Sequence, residues 1–408
     1  MQTRKNNLSK NKLYLYKVYS TNFNEKLIEK ILHRRNFRWT NINKNDEQLL
    51  KKPKNVDFCF QDGYYYTCHT IKNCIKSFHF MPPCKNFKVG CSLKVSLIDF
   101  LFKKNLYKIN SKIDFYNIIG KSKFIPRTLN INSENYNQIV NSNIDLKNKW
   151  ILKAADSYER EGLLRIDKVN LEEINNHLKT FKKFTKWQLQ EFIEPLLDNE
   201  FFIRVDIVCI YKNNQVEVLY SNKNQFAGIK DKNNNNILHY AEKNNKMHMN
   251  DDTKKIVYTF DTMTKNEYTG INGIANTILN KKFGNKWYEK NILPQIHEFI
   301  STYSKKLFVP INNKNIIFHL FGLDIMIDRE FKIKILEINI YPTHFLSGYR
   351  EVYDEKYVSK LFSPPNQMEK LHEMLEYEEQ FLDEIFHYTL DNIYPTKYSP
   401  KLKYLVKI

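Results

Sequence analysis

The sequence has little glycine, little cysteine and no long hydrophobic run. Only 10 of its 408 residues are Gly and 42% are hydrophobic, which excludes a collagen-like or disordered chain and predicts a folded core. Lys, Asn or Asp interrupts every apolar stretch before it reaches the ~18–20 residues that a membrane span needs. The first residues are basic, but no apolar segment follows them as it would in a secretory signal. We therefore expect a cytoplasmic protein of two or three domains, at roughly 100–200 residues each.

The cysteines are few and unevenly spread. Five of the six lie between residues 59 and 91, together with His69 and His79, so a zinc site is one interpretation. No C-x-x-C pair occurs in this segment, and the spacing matches no common zinc finger. Buried reduced thiols are the interpretation that the spacing favours, and a disulfide framework is not expected in a chain of this size.

Acidic residues are scarce relative to basic ones. The chain has 64 Lys and Arg against 45 Asp and Glu, a formal net charge of +19. Such an excess indicates an anionic partner: a nucleic acid, a membrane surface, an acidic protein tail or a nucleotide. Asn is also abundant, with a run at 233–236, so part of the charge reflects overall composition. Charge alone does not choose among these partners.

Hydrophobic periodicity predicts a mixed α/β (α+β) protein built from three modules. The modules are an N-terminal α/β module at residues 1–91, a central domain at 92–193 and a C-terminal domain at 194–408. Predicted strands lie at 12–20, 56–61, 150–155, 163–166, 187–193, 201–211, 215–221, 316–328 and 331–340. Predicted helices lie at 25–35, 93–106, 170–181, 292–303 and 366–392. Residues 228–255 are rich in Asn and Lys without apolar periodicity, which indicates a polar loop or insertion.

Two acids and an amide are grouped in the last predicted hairpin, as Asp324 followed by Glu337 and Asn339. Glu337 and Asn339 are two residues apart in a strand, so their side chains share one face. A two-residue loop at 329–330 would make Asp324 the diagonal neighbour of Glu337 on that face. Hard oxygen ligands are the usual ligands of Mg²⁺, and two buried carboxylates are costly without a cation. The pattern predicts a magnesium site; the alternative is an edge hairpin whose acids face solvent.

These three residues stand in FGLDIMID and KILEIN, which resemble the signature of the tubulin-tyrosine-ligase-like family of ATP-grasp ligases. The resemblance implies that Asp324, Glu337 and Asn339 are the magnesium triad. Two further segments match in the same order along the chain. WILK resembles the strand whose Lys, here Lys153, contacts the nucleotide phosphates. FIR resembles the strand whose Arg, here Arg204, faces the transferred phosphate; an Arg in so apolar a strand requires such a role or a salt bridge with a neighbouring acid such as Asp206 or Glu200.

The segment QEFIEPLL resembles the family's hinge strand, which frames the adenine. The adenine contacts that it implies are Gln190, Glu191, Phe192 and Ile193. Weaker matches are CSLK, which resembles a segment whose Lys, here Lys94, reaches the phosphates, and residues 124–128, which resemble an F-x-P-x-T segment.

Together these matches imply an ATP-grasp fold with ATP between the central and C-terminal modules, Mg²⁺ as metal, and Arg204 and Lys94 as the catalytic cations. Two features depart from the family. The loop at 154–161 has no Gly, and Tyr220 stands where the tyrosine ligase has a substrate-reading Arg.

Three functions are compatible with these patterns. The first is a ligase that adds glutamate, glycine or tyrosine to an acidic protein tail, with tubulin as the acceptor that the resemblance implies. A basic surface suits such a tail, and a free amino acid would be the second substrate. This hypothesis predicts cytoskeletal association, and neither a membrane nor a specific nucleic acid as partner. The second function is an ATP-grasp ligase for a small molecule or a non-tubulin protein. The third is a non-catalytic binder of nucleic acid or another polyanion.

Overall fold

The structure is a computed structural model, and it describes residues 13–19, 22–35, 38–41, 56–61, 87–92, 109, 111–132, 149–155, 163–166, 171–182, 184–196, 202–227, 271–310, 316–339, 367–394 and 396–408. The strands are β1 Leu13–Tyr19, β2 Arg38–Asn41, β3 Val56–Gln61, β4 Phe87–Ser92, β5 Thr128–Asn132, β6 Trp150–Ala154, β7 Leu164–Ile166, β8 Lys186–Glu191, β9 Phe202–Lys212, β10 Gln215–Ser221, β11 Gln225–Ala227, β12 Ile271–Ile274, β13 Ile316–Ile327, β14 Ile333–Asn339 and β15 Leu405–Lys407. The helices are α1 Asn22–Arg34, α2 Lys112–Ile119, α3 Leu171–Thr180, α4 Ala275–Phe283, α5 Trp287–Asn291, α6 Leu293–Leu307 and α7 Gln367–Thr389.

Two β-sheets organise the chain, and the mixed α/β class is confirmed. The large sheet is mixed and runs in the order β12-β11-β9-β13-β4-β3-β1-β2, with β14 added beside β13 and β10, followed by β15, added beside β9. The small sheet is antiparallel, in the order β5-β8-β6-β7. Strands β1 to β4 of the predicted N-terminal module join the large sheet, because β4 pairs in parallel with β13. The predicted helix at 93–106 and the polar stretch at 228–255 lie outside the described residues.

Strands β9 and β13 form the centre of the large sheet, and their side chains alternate between two faces. On one face, residues such as Val205 and Leu323 pack into the main apolar core beneath α2, α4, α5 and α6. On the other face, the first half of β13, which includes Leu320, is covered by α1 and α7. Further along that same face, Met326 packs instead against Ile151 of the small sheet. Polar residues gather on this face in the segment between these two coverings.

A buried arginine joins the N-terminal helix to the C-terminal one. The Arg35 side chain follows α1, is fully buried, and donates to Asp383 Oδ1 and Asp391 Oδ1, each at 2.7 Å. It also donates to the carbonyl oxygens of Ile31 and Asp383. Buried charges need such partners because desolvation is expensive. The pairing fixes α1 against α7 and so closes one side of the large sheet.

Two further findings concern the described helices and Cys209. Within the ranges given above, no helix is long and apolar enough to cross a bilayer. Cys209 is a buried free thiol in the main core, as the reduced-thiol interpretation predicts for it. The side chains of the five cysteines between 59 and 91 lie outside the described part of the chain, so the zinc interpretation stays untested.

Candidate functional site

The hairpin β13–β14 carries the predicted metal ligands, and its register departs from the prediction in two places. The loop has three residues, 329–331, instead of the predicted two, since the Asp328 N–H donates to the Lys332 carbonyl oxygen at 2.9 Å. Phe331 closes this loop with a φ of 60°, in the left-handed region. A bulge opposite the step from Asp324 to Ile325 then adds one more residue, Leu336, to β14. Relative to the predicted register, the hairpin thus has one extra residue in its loop and one in its second strand.

These two irregularities compensate each other. A loop that is one residue longer would turn Glu337 to the opposite face, because strand side chains alternate. The extra residue at the bulge turns it back. Asp324 and Glu337 are therefore direct cross-strand partners, whereas the sequence predicted diagonal neighbours. The predicted shared face is found, but through a different register.

Asp324 lies at the centre of this face and is almost fully buried. Arg204, its partner on β9, donates to both carboxylate oxygens from Nε and Nη2, at 2.9 and 3.1 Å. Asn339 donates from Nδ2 to Asp324 at 2.9 Å and to Glu337 at 3.5 Å. Burial raises the pKa of Asp324 to about 6; Arg204 opposes this shift, Glu337 adds to it, and the hydrogen bond from Asn339 lowers it. Arg204 thus pairs with Asp324, an acid that the sequence did not suggest as its partner, and Glu200 lies outside the described residues.

The group formed by Asp324, Glu337 and Asn339 fits a hard divalent cation. Two carboxylates and one amide oxygen are the donor types that Mg²⁺ accepts. The raised pKa of Asp324 indicates that Arg204 compensates only part of the burial cost, and a bound cation would supply the rest. Within the described residues, no three His, Cys, Asp or Glu side chains cluster as metal ligands, so this donor set depends on the amide of Asn339.

Lys153 approaches this face from the small sheet. It lies on β6 two residues after Ile151, which packs against Met326 and Leu336 of the hairpin. Its Nζ donates to Gln190 Oε1 at 2.6 Å. Burial lowers the pKa of Lys153 to about 8, and nearby Glu337 opposes that shift. A buried cation near two carboxylates is suited to hold a phosphate, since its charge is poorly screened there.

Lys112 is a site residue that the sequence reasoning missed. It lies in the first turn of α2, its Nζ is 3.8 Å from Glu337 Oε2, and its charge lowers the pKa of Lys153. Lys94, which the sequence predicts as a cation near the phosphates, lies outside the described residues. The segment from Ile109 to Lys112 has an apolar residue three positions before a Lys, which is the L-x-x-K spacing itself. That spacing could have identified Lys112.

The predicted hinge residues differ in the contacts that they make. Gln190 is buried and belongs to the hydrogen-bond network of Lys153. The backbone N–H groups of Glu191 and Phe192 donate to the carbonyl oxygens of Arg127 and Lys149, both at 2.8 Å, so they hold the strand in place. Ile193 packs against the hairpin beside Met326. These residues form the wall where the small sheet meets β13 and β14.

Tyr220 does not face this group. Its ring packs in the main core on the opposite face of the large sheet, and its hydroxyl group lies 3.2 Å from Nδ1 of His297. On the Arg204 face, the neighbouring polar group is instead Asp206, which accepts a hydrogen bond from the Tyr377 hydroxyl at 2.7 Å. Tyr377 belongs to α7, so this helix closes that end of the site.

Comparisons with known proteins identify a family and a fold for this chain. The model of the tubulin-tyrosine ligase family matches residues 91–363, more than half of the chain. Among solved structures, the chain is similar to the C-terminal domain of Pby1 from K. lactis, an ATP-grasp enzyme interacting with the mRNA decapping enzyme Dcp2. That alignment has a TM-score of 0.53 at 14% identity and covers 97% of this chain and 98% of that domain. Such a likeness shows the ATP-grasp fold. A search of curated protein sequences found no significant match.

Proposed function

The chain belongs to the tubulin-tyrosine ligase family and is an ATP-dependent ligase with the ATP-grasp fold, and we propose that it joins a free amino acid to a carboxylate of a protein. The observation that carries this proposal is the convergence of Arg204, Asp324, Glu337 and Asn339 on one face, with Lys153 and Lys112 reaching it from other elements. This arrangement places three cationic side chains around two acidic ones. It suits a reaction in which negative charge develops on phosphate oxygens.

The proposed reaction has two steps. An oxygen of the acceptor carboxylate attacks the γ-phosphorus of ATP, and the bond to the ADP oxygen breaks, giving an acyl phosphate. The amine of the free amino acid then attacks the carbonyl carbon, phosphate leaves with the electrons of the C–O bond, and the nitrogen loses a proton as the amide forms. We assign Arg204 and Lys112 to the transferred phosphoryl group, with the same role expected of Lys94. Lys153 and the hinge residues 190–193 are assigned to ATP.

Asp324, Glu337 and Asn339 are assigned to Mg²⁺, which supplies charge neutralisation to the phosphates when bound. Arg204 has a second task in this scheme. Its two hydrogen bonds fix both oxygens of Asp324, so the carboxylate is held in one orientation before any ligand arrives. Such preorganisation removes the cost of ordering the group during the reaction.

An acidic protein tail, such as that of tubulin, is the proposed acceptor, and glutamate, glycine and tyrosine are the proposed donors. The net charge of +19 supports an acidic acceptor, because complementary charge speeds encounter and fixes register. Cytoskeletal association follows if tubulin is the acceptor. Tyrosine is the least favoured donor, since Tyr220 stands at the position of the substrate-reading Arg and packs in the core.

A non-tubulin protein is the second candidate acceptor. It is supported by the similarity to the Pby1 domain over nearly the whole of both chains, since Pby1 interacts with a decapping enzyme. The chemistry would be the same, and only the protein that supplies the carboxylate would differ.

The test is incubation of the purified protein with Mg²⁺, ATP, tubulin and labelled glutamate, glycine or tyrosine in separate reactions. Glu337→Gln removes one proposed metal ligand, and Glu330→Gln makes the same change at an exposed position of the same hairpin loop. Label in tubulin that is lost in Glu337→Gln and kept in Glu330→Gln supports the proposal. ADP release without labelled tubulin supports the second candidate acceptor. Absence of ATP binding in calorimetry contradicts both.

A further inference from the structure

The hydroxyl group of Tyr116 lies between the phosphate-binding and metal-binding parts of the candidate site. Tyr116 is on α2, one turn after Lys112, and is buried. Its oxygen accepts a hydrogen bond from Gln190 Nε2 at 2.6 Å. It donates to the carbonyl oxygen of Leu336 at 2.9 Å, with that of Ile335 at 3.3 Å. The hydroxyl group therefore connects the small sheet to the bulge in β14.

The backbone carbonyl group of Leu336 fixes the direction of these hydrogen bonds. A backbone carbonyl can only accept, so Tyr116 must donate its single proton to Leu336. Its oxygen can then only accept from Gln190, which turns the NH₂ group of that amide toward Tyr116. A second hydrogen of the same NH₂ group meets Thr128 Oγ1 at 3.1 Å. The amide oxygen of Gln190 is consequently left to face Lys153, whose Nζ donates to it at 2.6 Å.

Without Tyr116, Thr128 alone would hold the NH₂ end of Gln190, at the longer distance of 3.1 Å. A Gln amide has an acceptor end and a donor end of nearly the same shape, and a flip would present NH₂ to the Lys153 ammonium. Two donors facing each other in a buried site repel, and Lys153 would leave its place. The same bulge that brings Glu337 beside Asp324 also presents Leu336, which has no ladder partner of its own, to Tyr116.

We propose that Tyr116 is a positioning residue, which sets the orientation of Gln190 from the β14 bulge and thereby holds Lys153 in place relative to the metal-binding hairpin. The role assigned to Lys153 rests on the proposed function, whereas the hydrogen-bond order does not. Among the described residues, no hydrogen bond joins Tyr116 to Asp324 or Glu337. Its effect therefore passes through Gln190 and Leu336.

The test compares Tyr116→Phe with Tyr303→Phe. The control removes a hydroxyl group that donates to Ser122 Oγ at 2.9 Å, outside the site. In the ligand-free proteins, the rate at which Lys153 is acylated by an amine-reactive reagent is followed by mass spectrometry, with melting temperature as the check on folding. We expect several-fold faster acylation of Lys153 in Tyr116→Phe only. We also expect ATP affinity and kcat/KM to fall roughly 10- to 100-fold, the range for residues that orient site ligands.

The variant Gln190→Glu in the Tyr116→Phe background gives a second test. A carboxylate presents an oxygen to Lys153 in either orientation, so slow acylation of Lys153 should return. A residue with a purely structural role would not be rescued this way. The proposal is overturned if Lys153 is acylated at the same rate in Tyr116→Phe and Tyr303→Phe. It is also overturned if Gln190→Glu does not restore slow acylation of Lys153 in the Tyr116→Phe background. If acylation responds as expected but the wild-type protein binds no ATP, the positioning role stands and the proposed function fails.

Discussion

The buried contact between α1 and α7 predicts a large loss of stability when Arg35 is replaced by Met. The substitution keeps much of the side-chain length but removes the guanidinium that donates to two acids, Asp383 and Asp391, whose side chains are 1% and 8% exposed. Removing one partner of a buried ion pair costs about 3–5 kcal/mol, because the remaining charge stays desolvated. For Arg35→Met we expect a loss of stability near the lower end of this range, since Asp383 keeps its contact with Arg34 and Asp391 keeps its contact with His387.

The assay is equilibrium unfolding in urea, with Lys30→Met as the matched control. Lys30 pairs with Glu379 on the same two helices, but its side chain is 59% exposed, so its removal should change stability by about 0–1 kcal/mol. The penalty in Arg35→Met should also shrink as pH falls toward about 4, because protonated acids need no cation. Burial already raises the pKa of Asp391, which favours that protonation. A loss below about 1 kcal/mol in Arg35→Met, or a loss equal to that of Lys30→Met, would refute the reasoning.

Three predictions concern the candidate site. Mg²⁺ affinity, measured by calorimetry across pH, should fall as pH drops through about 6, because protonated Asp324 no longer offers a charged ligand; an affinity that stays flat from pH 7 to pH 5 would contradict its role as a ligand. ATP affinity should fall as pH rises through about 8, where Lys153 loses its charge, and Lys153→Met should abolish this pH dependence; if the variant keeps it, another group is responsible. Lys112→Met should lower kcat by about 100-fold, as for removal of one preorganised donor, with only a small change in ATP KM. Lys121→Met, an exposed substitution just after α2, is the control, and equal kcat values for the two variants would exclude Lys112 from the reaction.

The elements themselves were largely predictable from local patterns. The strands at 56–61 and 215–221 have the predicted bounds, and the other predicted strands differ by one or two residues at an end, whereas β2, β4, β5, β11, β12 and β15 were not predicted. Alternation of apolar residues follows from the two-residue period of a strand, which requires no knowledge of the partner strand. The ATP-grasp fold was predictable through its ordered motifs, and the family match confirms it.

The register of the hairpin β13–β14 was not predictable in the same way. Its loop length depends on a distant helix, because Gln295 of α6 donates to the Phe331 carbonyl oxygen at 2.7 Å and accepts from the Ile333 N–H at 3.2 Å. Its bulge carries the carbonyl groups that bond Tyr116. Neither partner is visible in the hairpin sequence, so the simplest two-residue turn was predicted.

The sequence by itself determined which side chains could form the site, since Asp324, Glu337, Asn339, Lys153 and Arg204 all stand in segments that resemble motifs of the family. Their pairing was decided only by the tertiary structure. Arg204 meets Asp324 across 120 residues, and Lys112 reaches Glu337 from α2. The physical reason is that hydrogen bonds and desolvation act through space. Local periodicity fixes the face on which a side chain lies, whereas the packing of sheet against sheet fixes the charge that it meets.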